Sequence, residues 1–455
     1  MFERFFNVFR VPELRRRIII TLLLLAACRV GVYIPVPNVD TAQLGAFFEN
    51  QAKQGAVGSA LAVVNLFAGG ALSQCAVFGL GVMPYISSSI IFQLLASVVP
   101  ALERLKKEGE AGRKKINQYT RYATVPLCFV QALVIVKGLQ TGAKGFNVFP
   151  PEYGLSDVAF AAFLMTVGTM VLMWLGEQID EFGIGNGISL VIMIGIIDRM
   201  PSAFTQMVVQ LGAEVQGGDL AVAIVKVLIM LALFIGMVVG VIFVINGQRR
   251  IPFQQAKLTR GRRVYGGMKH YLPLGVNAAG VMPIIFAQSL IMIPAMFITP
   301  LAGAQFSPFW HRVFTTLGDA LSMGSFTYSL LYIILIFFFC YFWTAIQFNP
   351  TEMAENLKEH GSYIPGIRPG RRTAEHLERI MNRITLPGAA FLAAIAIIPS
   401  IVGSAMKVGY VVYGFYGGTT LLIIVGVALD LVRKIEAELL MRHYEGFTRA
   451  SRRRH

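Results

Sequence analysis

Residues 220–246 read LAVAIVKVLIMLALFIGMVVGVIFVIN, and this stretch decides the fold class because its 27 residues carry a single charge, Lys226. A helix of about 20 apolar residues crosses the hydrocarbon core of a bilayer. Nine further segments of this kind lie at 18–36, 75–98, 122–141, 155–176, 184–204, 276–300, 325–348, 385–405 and 411–432. The sequence therefore predicts an all-α polytopic membrane protein with ten transmembrane helices.

The composition excludes two large classes of protein. Of 455 residues, 55% are hydrophobic and only 14% are charged, with a formal net charge of +15. Soluble domains carry about 25% charged residues, so a soluble enzyme or a disordered scaffold is excluded. Cys28, Cys75, Cys128 and Cys340 lie in or beside apolar segments without a CxxC spacing, which favours packing over metal binding or disulfides.

The basic residues predict the orientation. Five clusters, at 1–17, 101–121, 247–274, 349–384 and 433–455, hold 32 of the 40 Lys and Arg residues. With ten spans, all five clusters fall on one side of the membrane. The positive-inside rule then places both termini in the cytoplasm. The first apolar run has no small-residue cleavage site, so we expect it to be a retained span in the cytoplasmic (inner) membrane.

The ten spans divide into two sets of five near residue 212. Because five is odd, the second set (213–455) must run in the opposite sense to the first (1–212). This arithmetic permits an inverted repeat with a pseudo-two-fold axis in the membrane plane, although no clear residue-level self-similarity supports it. A shorter Gly- and Ala-rich stretch at about 56–73 cannot cross alone and predicts a re-entrant segment.

The centres of the predicted spans lack the ionisable and metal-binding side chains that coupled transport or catalysis inside a membrane requires. Ion-coupled transporters need ionisable side chains near the midplane, and the span centres hold almost none. There is no HExxH motif and no Walker motif. We therefore expect no enzymatic activity, no catalytic residue, no cofactor and no metal site. A secondary transporter with inverted repeats stays the alternative, since broken helices would suit it.

Several spans instead place aliphatic residues one helical turn apart, where they share a face. Each pair taken alone is explained by lipid contact or core packing. Each also lies beside a proline or glycine, and irregular backbone at membrane depth is tolerated only against protein or a water-filled cavity. The pairs are Val82 and Ile86, Ile188 and Ile192, Val281 and Ile285, and Thr419 and Ile423.

Polar side chains also recur within the spans, notably Gln93, Gln131 and Asn186, with Ser87 nearby. One explanation is hydrogen bonding between helices, worth about 0.6 kcal/mol per contact. The other is a weak polar seam between two halves that must separate.

Several sequence blocks resemble those of the SecY family of bacterial translocon channels. They run in order along essentially the whole chain, and their joint occurrence makes the resemblance specific. The blocks are 65–73 (NLFAGGALS), 81–87 (GVMPYIS), 106–114 (KKEGEAGRK), 118–122 (QYTRY), 183–189 (GIGNGIS), 261–265 (GRRVY), 272–274 (LPL) with Asn277, 348–351 (FNPT), 363–370 (YIPGIRPG) and 417–419 (GGT).

The resemblance implies a protein-conducting channel with two inverted five-helix halves, a short plug helix at about 60–73 and a side opening to lipid. Its function would be to pass unfolded preproteins and to release apolar segments sideways into the bilayer. The implied sites are a pore ring (Val82, Ile86, Ile188, Ile192, Val281, Ile285 and Ile423, with Thr419 adjacent), a plug (Asn65, Phe67, Gly69 and Gly70) and a lateral gate (Ser87, Gln93, Gln131 and Asn186).

The family also implies partners on the cytoplasmic loops 247–274 and 349–384. These would be the SecA motor or a translating ribosome, beside the small membrane subunits SecE and SecG, signal peptides and preproteins. The docking residues implied are Arg250, Arg262, Arg263, Arg368, Arg371 and Arg372. Val82 stands where an isoleucine would be expected, a change of one methylene.

Overall fold

The structure is a computed structural model that describes residues 11–51, 65, 68–142, 148–150, 153–216, 220–255, 258–260, 263–265, 269–277, 279–302, 308–321, 325–406 and 417–452. The helices are α1 Pro12–Val30, α2 Thr41–Gln51, α3 Met83–Val98, α4 Pro100–Lys107, α5 Glu110–Gly142, α6 Leu155–Phe182, α7 Gly187–Asp198, α8 Met200–Gln216, α9 Leu220–Asn246, α10 Met282–Ala302, α11 Pro308–Ala320, α12 Phe326–Gln347, α13 Pro350–Glu359, α14 Arg371–Ala405 and α15 Gly418–Arg452. The strands are β1 Gln248–Gln255, β2 Leu258–Arg260, β3 Arg263–Tyr265, β4 Lys269–Gly275 and β5 Ser362–Tyr363.

Each of the ten apolar segments contains helix, so the predicted helical membrane fold is confirmed, although residues 75–82 of the second segment precede its helix and the fifth segment is divided between α7 and α8. Six helical stretches in the described residues are long and apolar enough to cross a bilayer, and α3 with α4, bent by 96°, makes a seventh. The count of ten is not reached by length and apolarity alone. The first helix carries three arginines near its start, and α15 runs on from its apolar part into a charged one.

The helix contacts repeat along the chain. We number α1, α3, α5, α6 and α7 as spans one to five and α9, α10, α12, α14 and α15 as spans six to ten. The first span of each set contacts the fourth and fifth spans of the same set. The second contacts the third, the third the fourth, and the fourth the fifth in both sets. Each set therefore forms a bundle with the same pattern of neighbours, as an internal repeat requires.

Two seams join these bundles. On one side α10 contacts both α3 and α5, and on the other side α7 contacts α15. The connection between the bundles is continuous, since α8 contacts α9. The five helices α3, α5, α7, α10 and α15 are thus the ones that join the two bundles.

The two long basic loops are more ordered than the sequence predicted. Within 247–274, β1 pairs antiparallel with β4, and β5 from the second loop adds to β1 through Gln254↔Tyr363 and Gln255↔Ser362. Residues 371–384, expected as loop, belong to α14. The extended stretches Gln248–Gln255 and Lys269–Gly275 are short, polar and outside the spans, which is why a span-based analysis missed a sheet.

The short re-entrant helix expected at about 60–73 falls mainly outside the described residues. Its described end, residues 68–71, is a turn, and it leads into a short 3-10 helix, Leu72–Gln74. The helices α2 and α11 were not predicted. All four cysteines are buried, which confirms that they are packing residues.

Candidate pore, plug and gate

The structure shows that the second span of each bundle begins in the same way. Residues 81–86 read GVMPYI and residues 280–285 read GVMPII, and the helices start at Met83 and Met282. Both leading glycines have positive φ, 57° at Gly81 and 62° at Gly280, a conformation that glycine adopts without strain. In both segments the isoleucine amide donates to the carbonyl of the valine four residues before it. This corrects the sequence analysis, which found no residue-level repeat.

The fifth span of each bundle begins alike as well. Residues 187–192 read GISLVI and residues 418–423 read GTTLLI. A Cβ at Gly187 would lie 1.9 Å from the carbonyl oxygen of Gly176 in α6, and one at Gly418 would lie 1.6 Å from that of Ile395 in α14. Both helix starts are therefore pressed against the preceding span, where only glycine fits.

The seven predicted ring residues all belong to, or pack against, one large hydrophobic cluster, which we call the central cluster and to which α1, α6, α9, α12 and α14 also contribute. They lie on or just before α3, α7, α10 and α15, four of the five helices of the two seams. Five of them are between 1% and 7% exposed, and Ile188 and Val281 are partly buried against the same cluster. The five buried members are Val82, Ile86, Ile192, Ile285 and Ile423.

The described part of the plug packs against this cluster and is held by its own polar contacts. Ala68 and Ala71 belong to the central cluster. The Gly70 amide donates to the carbonyl of Asn65 (2.7 Å), and the Ser73 amide donates to the side-chain oxygen of Asn65 (2.9 Å). Gly69 and Gly70 both have positive φ, 62° and 85°. Phe67 lies outside the described residues.

Two arginines that the sequence analysis did not select hold this loop, and we call this arrangement the arginine clamp. Arg29 of α1 donates to the Gly69 carbonyl (3.3 Å) and forms an ion pair with Asp198 at the end of α7. The next residue, Arg199, donates to the Ser73 hydroxyl (3.0 Å). Positive charge placed against a backbone carbonyl and a hydroxyl makes directional contacts that an apolar plug alone would lack.

The glycines are what allow the clamp to close. A Cβ at Gly70 would lie 1.3 Å from the Arg199 guanidinium, and one at Gly69 would lie 2.5 Å from that of Arg29. The sequence signal was present, since Arg29, Asp198 and Arg199 lie near span ends, but charge at a span end is ordinarily explained by snorkelling. Only the folded chain shows that they face the plug.

The structure places three of the four predicted gate residues on the helices of the α3/α5–α10 seam. Ser87 is buried and donates to the Met83 carbonyl within α3, and Gln131 is buried on α5. Gln93 donates to Ser89 (3.1 Å).

Asn186 lies elsewhere. Its side chain accepts from the Ser189 amide (3.0 Å) and so caps α7, while the neighbouring Gly187 amide donates to Asp180 (2.8 Å). We therefore assign Asn186 to the α6–α7 turn and not to that seam, because an N-cap residue is held by its own helix.

The helix α10, which contacts α3 and α5, carries two buried polar residues that sequence reasoning missed. Gln288 and Ser289 of α10 are 5% and 1% exposed. Within the described part of the chain, the Gln288 and Gln93 side-chain carbonyl oxygens and the Ser289 hydroxyl are buried without a hydrogen-bond partner. A polar pair inside the apolar segment 276–300 was the available signal. Unsatisfied buried polar atoms make this contact weaker than an apolar one of equal area.

Four of the six predicted docking residues lie on one small domain formed by the two basic loops and the start of α14. Arg250 lies exposed on β1, and Arg368 lies exposed in the turn that follows β5, the strand that pairs with β1. Arg371 and Arg372 are exposed at the start of α14, where Arg371 pairs with Glu375 (3.1 Å). Arg263 belongs to β3, and Arg262 lies outside the described residues.

This domain has a hydrophobic core separate from the central cluster, with members from both loops and α14. Ile251, Leu274, Ile364 and Leu377 are buried in it. The basic side chains therefore sit on a folded platform. Gly366 and Gly370 have φ of 84° and 100°, which fixes the turn that carries Arg368.

Comparison with known proteins identifies relatives of this architecture. The family model described as SecY matches residues 76–432. The chain is 42% identical to the protein translocase subunit SecY of Thermotoga maritima, over 98% of each chain. It is 42% identical to that of Escherichia coli K12, over 95% of this chain and 93% of the relative. Two solved structures share the fold: a protein-conducting channel (TM-score 0.61, 16% identity, 93% and 92% coverage) and Sec61 in a canine ribosome–channel complex (TM-score 0.58, 17% identity, 93% and 92% coverage).

Proposed function

This chain belongs to the SecY family and is a protein-conducting channel, and we propose that unfolded preproteins pass through its central cluster between the two seams. One observation carries this assignment. The aliphatic residues that match in the two bundles lie on four of the five helices that meet across those seams, and all of them enter one cluster. A passage formed there can widen when the bundles move apart and close when they return.

An aliphatic waist suits a channel for polypeptides. It forms no hydrogen bond or ion pair with any side chain that passes, and when narrow it excludes ions by dewetting. A ring of fixed charge would retain peptides of opposite charge. The branched side chains of Ile86, Ile192 and Ile285 adapt to passengers of different size without leaving a polar group unsatisfied.

The plug closes this waist in the resting channel, and the arginine clamp holds the plug. The two alanines of the plug extend the apolar contact, and the clamp adds contacts that break as a unit when the loop leaves. Asp198 and Arg199 lie at the end of the helix that carries Ile188 and Ile192. A movement of α7 therefore displaces two ring residues and the residues that hold the plug at the same time.

Apolar segments leave the channel sideways between α3/α5 and α10. Transfer of apolar surface from water to lipid is favourable by about 0.8 kcal/mol per CH₂ group, so signal sequences and membrane spans partition outward while polar segments continue. The unsatisfied polar atoms of Gln93, Gln288 and Ser289 keep this seam weak enough to open.

The chain supplies a path and no free energy, so it is not an enzyme and needs partners that do work. The platform carrying Arg250, Arg368, Arg371 and Arg372 is the docking surface for the SecA motor or for a ribosome, whose RNA is a polyanion. SecE and SecG would complete the membrane complex, as the family implies. The secondary transporter is not favoured, since both curated relatives are translocase subunits.

The same reasoning gives the topology. The chain lies in the cytoplasmic membrane with both termini in the cytoplasm, since this places all five basic clusters on one side. Residues 1–212 and 213–455 form the two inverted halves. The repeated helix contacts and the matched starts of spans two and seven, and of five and ten, support this division.

Photo-crosslinking tests the path. A preprotein arrested in transit through the reconstituted complex should form an adduct with a photoreactive residue at Ile285 and not with one at Leu228, which is exposed on α9. Adducts at Leu228 alone would remove the central cluster from the path. As a control, the unsubstituted complex must first be shown to transport the same preprotein.

A further inference from the structure

The helix α11 is too short to cross the membrane and lies where the bilayer ends. It has 13 residues, about 20 Å at the helical rise per residue, against about 30 Å of hydrocarbon. It connects α10 to α12 and contacts both. Since each neighbour is an apolar helix of the membrane domain, α11 is held at the level where their ends meet water.

One side of α11 is apolar, and only part of this side packs against other helices of the protein. Part of this side faces α10: a Cβ at Gly318 would lie 4.0 Å from Ile298, and the following residue, Leu321, packs against the central cluster. The stripe of Phe309, Val313 and Leu317, spaced four residues apart, lies beside that contact. Phe309 is 70% exposed and Leu317 is 45% exposed.

The opposite side of α11 is polar. His311, Arg312 and Asp319 are exposed there, and Thr316 is exposed at the edge of this side, next to Phe309. An exposed apolar stripe beside a polar face with a cation is the pattern of helices that lie in the plane of the membrane interface. The exposed aromatic ring of Phe326 at the start of α12 lies close in the chain and adds apolar surface at the start of the next span.

A second short helix, α2, offers a contrast to α11. The helix α2 lies between spans one and two, and α11 between spans seven and eight, so both lie on the same side of the membrane in the proposed topology. In α2 the apolar residues Leu44 and Phe47 are buried in a cluster with Val36 and Leu72. The apolar side of α2 is buried in a protein core, whereas Phe309 and Leu317 of α11 are exposed.

We propose that α11 is seated in the lipid interface, with Phe309 and Leu317 at the boundary between headgroups and acyl chains and Arg312 among the headgroup phosphates. The partner is the bilayer surface itself. The position in the interface is argued from α11 and its two neighbouring spans, and the proposed topology would place it in the outer leaflet. Because α11 is joined to α10, the lipid surface then holds one side of the seam through which apolar segments leave.

Site-directed spin labelling tests this in the reconstituted complex. Leu317→Cys and Phe309→Cys place a nitroxide on the apolar stripe, and Arg312→Cys is the matched control on the polar face of the same helix. The four native cysteines are buried, and labelling of the unsubstituted chain measures their background. Collision with oxygen, which concentrates in lipid, is compared with collision with a water-soluble nickel chelate.

We expect oxygen to dominate at positions 309 and 317 and the chelate to dominate at position 312, with a severalfold difference in their ratio. Chelate access at all three positions would overturn the proposal, because α11 would then lie in water. Protection of 309 and 317 from both reagents would also overturn it, because a protein would cover the stripe. Preprotein transport by each labelled complex is measured in parallel, so that loss of the channel function is distinguished from a wrong position of α11.

Discussion

The waist and the plug that closes it are held by opposite kinds of interaction. The waist that we propose is formed by aliphatic side chains of four helices within the central cluster, and their contacts have no preferred direction. The plug is held by an arginine on a backbone carbonyl and an arginine on a hydroxyl, both of which depend on exact placement. Apolar contacts change gradually as side chains turn against one another, because dispersion has no preferred angle, whereas a hydrogen bond weakens steeply once its angle falls below about 120°.

This difference assigns the two regions different tasks. The waist must seal around passengers of many shapes, and gradual contacts permit this. The plug must be either in place or gone, and directional contacts favour two states. Substitutions that separate these two behaviours test the comparison.

The largest effect should follow from emptying the waist. Replacing Ile86, Ile192 and Ile285 together with glycine removes the aliphatic seal, so the resting complex should conduct ions continuously in planar bilayers. Each glycine also costs about 1 kcal/mol in helix propensity. A control variant with glycine at the exposed Ile91, Ile197 and Leu290 carries the same cost on the same three helices. Equal conductance in the two triple variants would remove the ring assignment.

A smaller effect should follow from opening the arginine clamp. Arg199→Ala removes the contact with Ser73, worth about 1 kcal/mol, so the plug should leave about fivefold more often. Single-channel recording should show brief openings between closed periods, in contrast to the continuous leak of the triple glycine variant. Arg199→Lys keeps the charge and should lie between wild type and alanine. A closed-state record identical to wild type in Arg199→Ala would contradict the clamp.

No leak should follow from damage to the docking platform. Arg368 is exposed on the folded domain formed by the two basic loops, remote in sequence from the waist and the plug. We expect Arg368→Glu to stop motor-driven export by reversing the charge presented to the partner, while the variant inserts normally and its resting conductance stays at the wild-type level. Arg372→Glu, on the neighbouring turn of α14, serves as a comparison. Normal export by Arg368→Glu would count against the docking role.

The smallest effect should come from adding a methylene group to the waist. Val82 is 2% exposed in the central cluster, where volume changes cost up to about 1–3 kcal/mol in a rigid core. If the waist adapts its shape as we infer, Val82→Ile leaves both resting conductance and transport unchanged. A marked loss of transport would show that the waist is packed like an ordinary core.

The ring that we propose could be selected from the sequence because the signal for each of its residues is local. Aliphatic residues one turn apart beside a proline or glycine can be found in any single span, and the resemblance to a family then selected among them. The repeat of GVMPYI and GVMPII was equally visible, but it was recognised only when the structure showed both motifs at the start of equivalent helices.

Neither the contacts of the plug nor the docking platform could be predicted from the sequence. Arg29 and Asp198 are 169 positions apart, and each taken alone is an ordinary charge near the end of a span. The strands β1 and β5 are more than a hundred residues apart, so two loops that were predicted separately form one sheet. The family resemblance implied a gate role for Asn186, and the structure shows its side chain capping α7.

The sequence by itself determined that this chain is a bundle of membrane helices, because burial in lipid depends on the apolarity of each segment and on little else. It also determined the orientation that we propose, because charge placement is a property of the loops one by one. Which helices meet, which side chains converge on the waist and what holds the plug were decided by the tertiary structure. Those contacts form between residues that are far apart in the sequence, so the pattern of residues along the chain does not specify them.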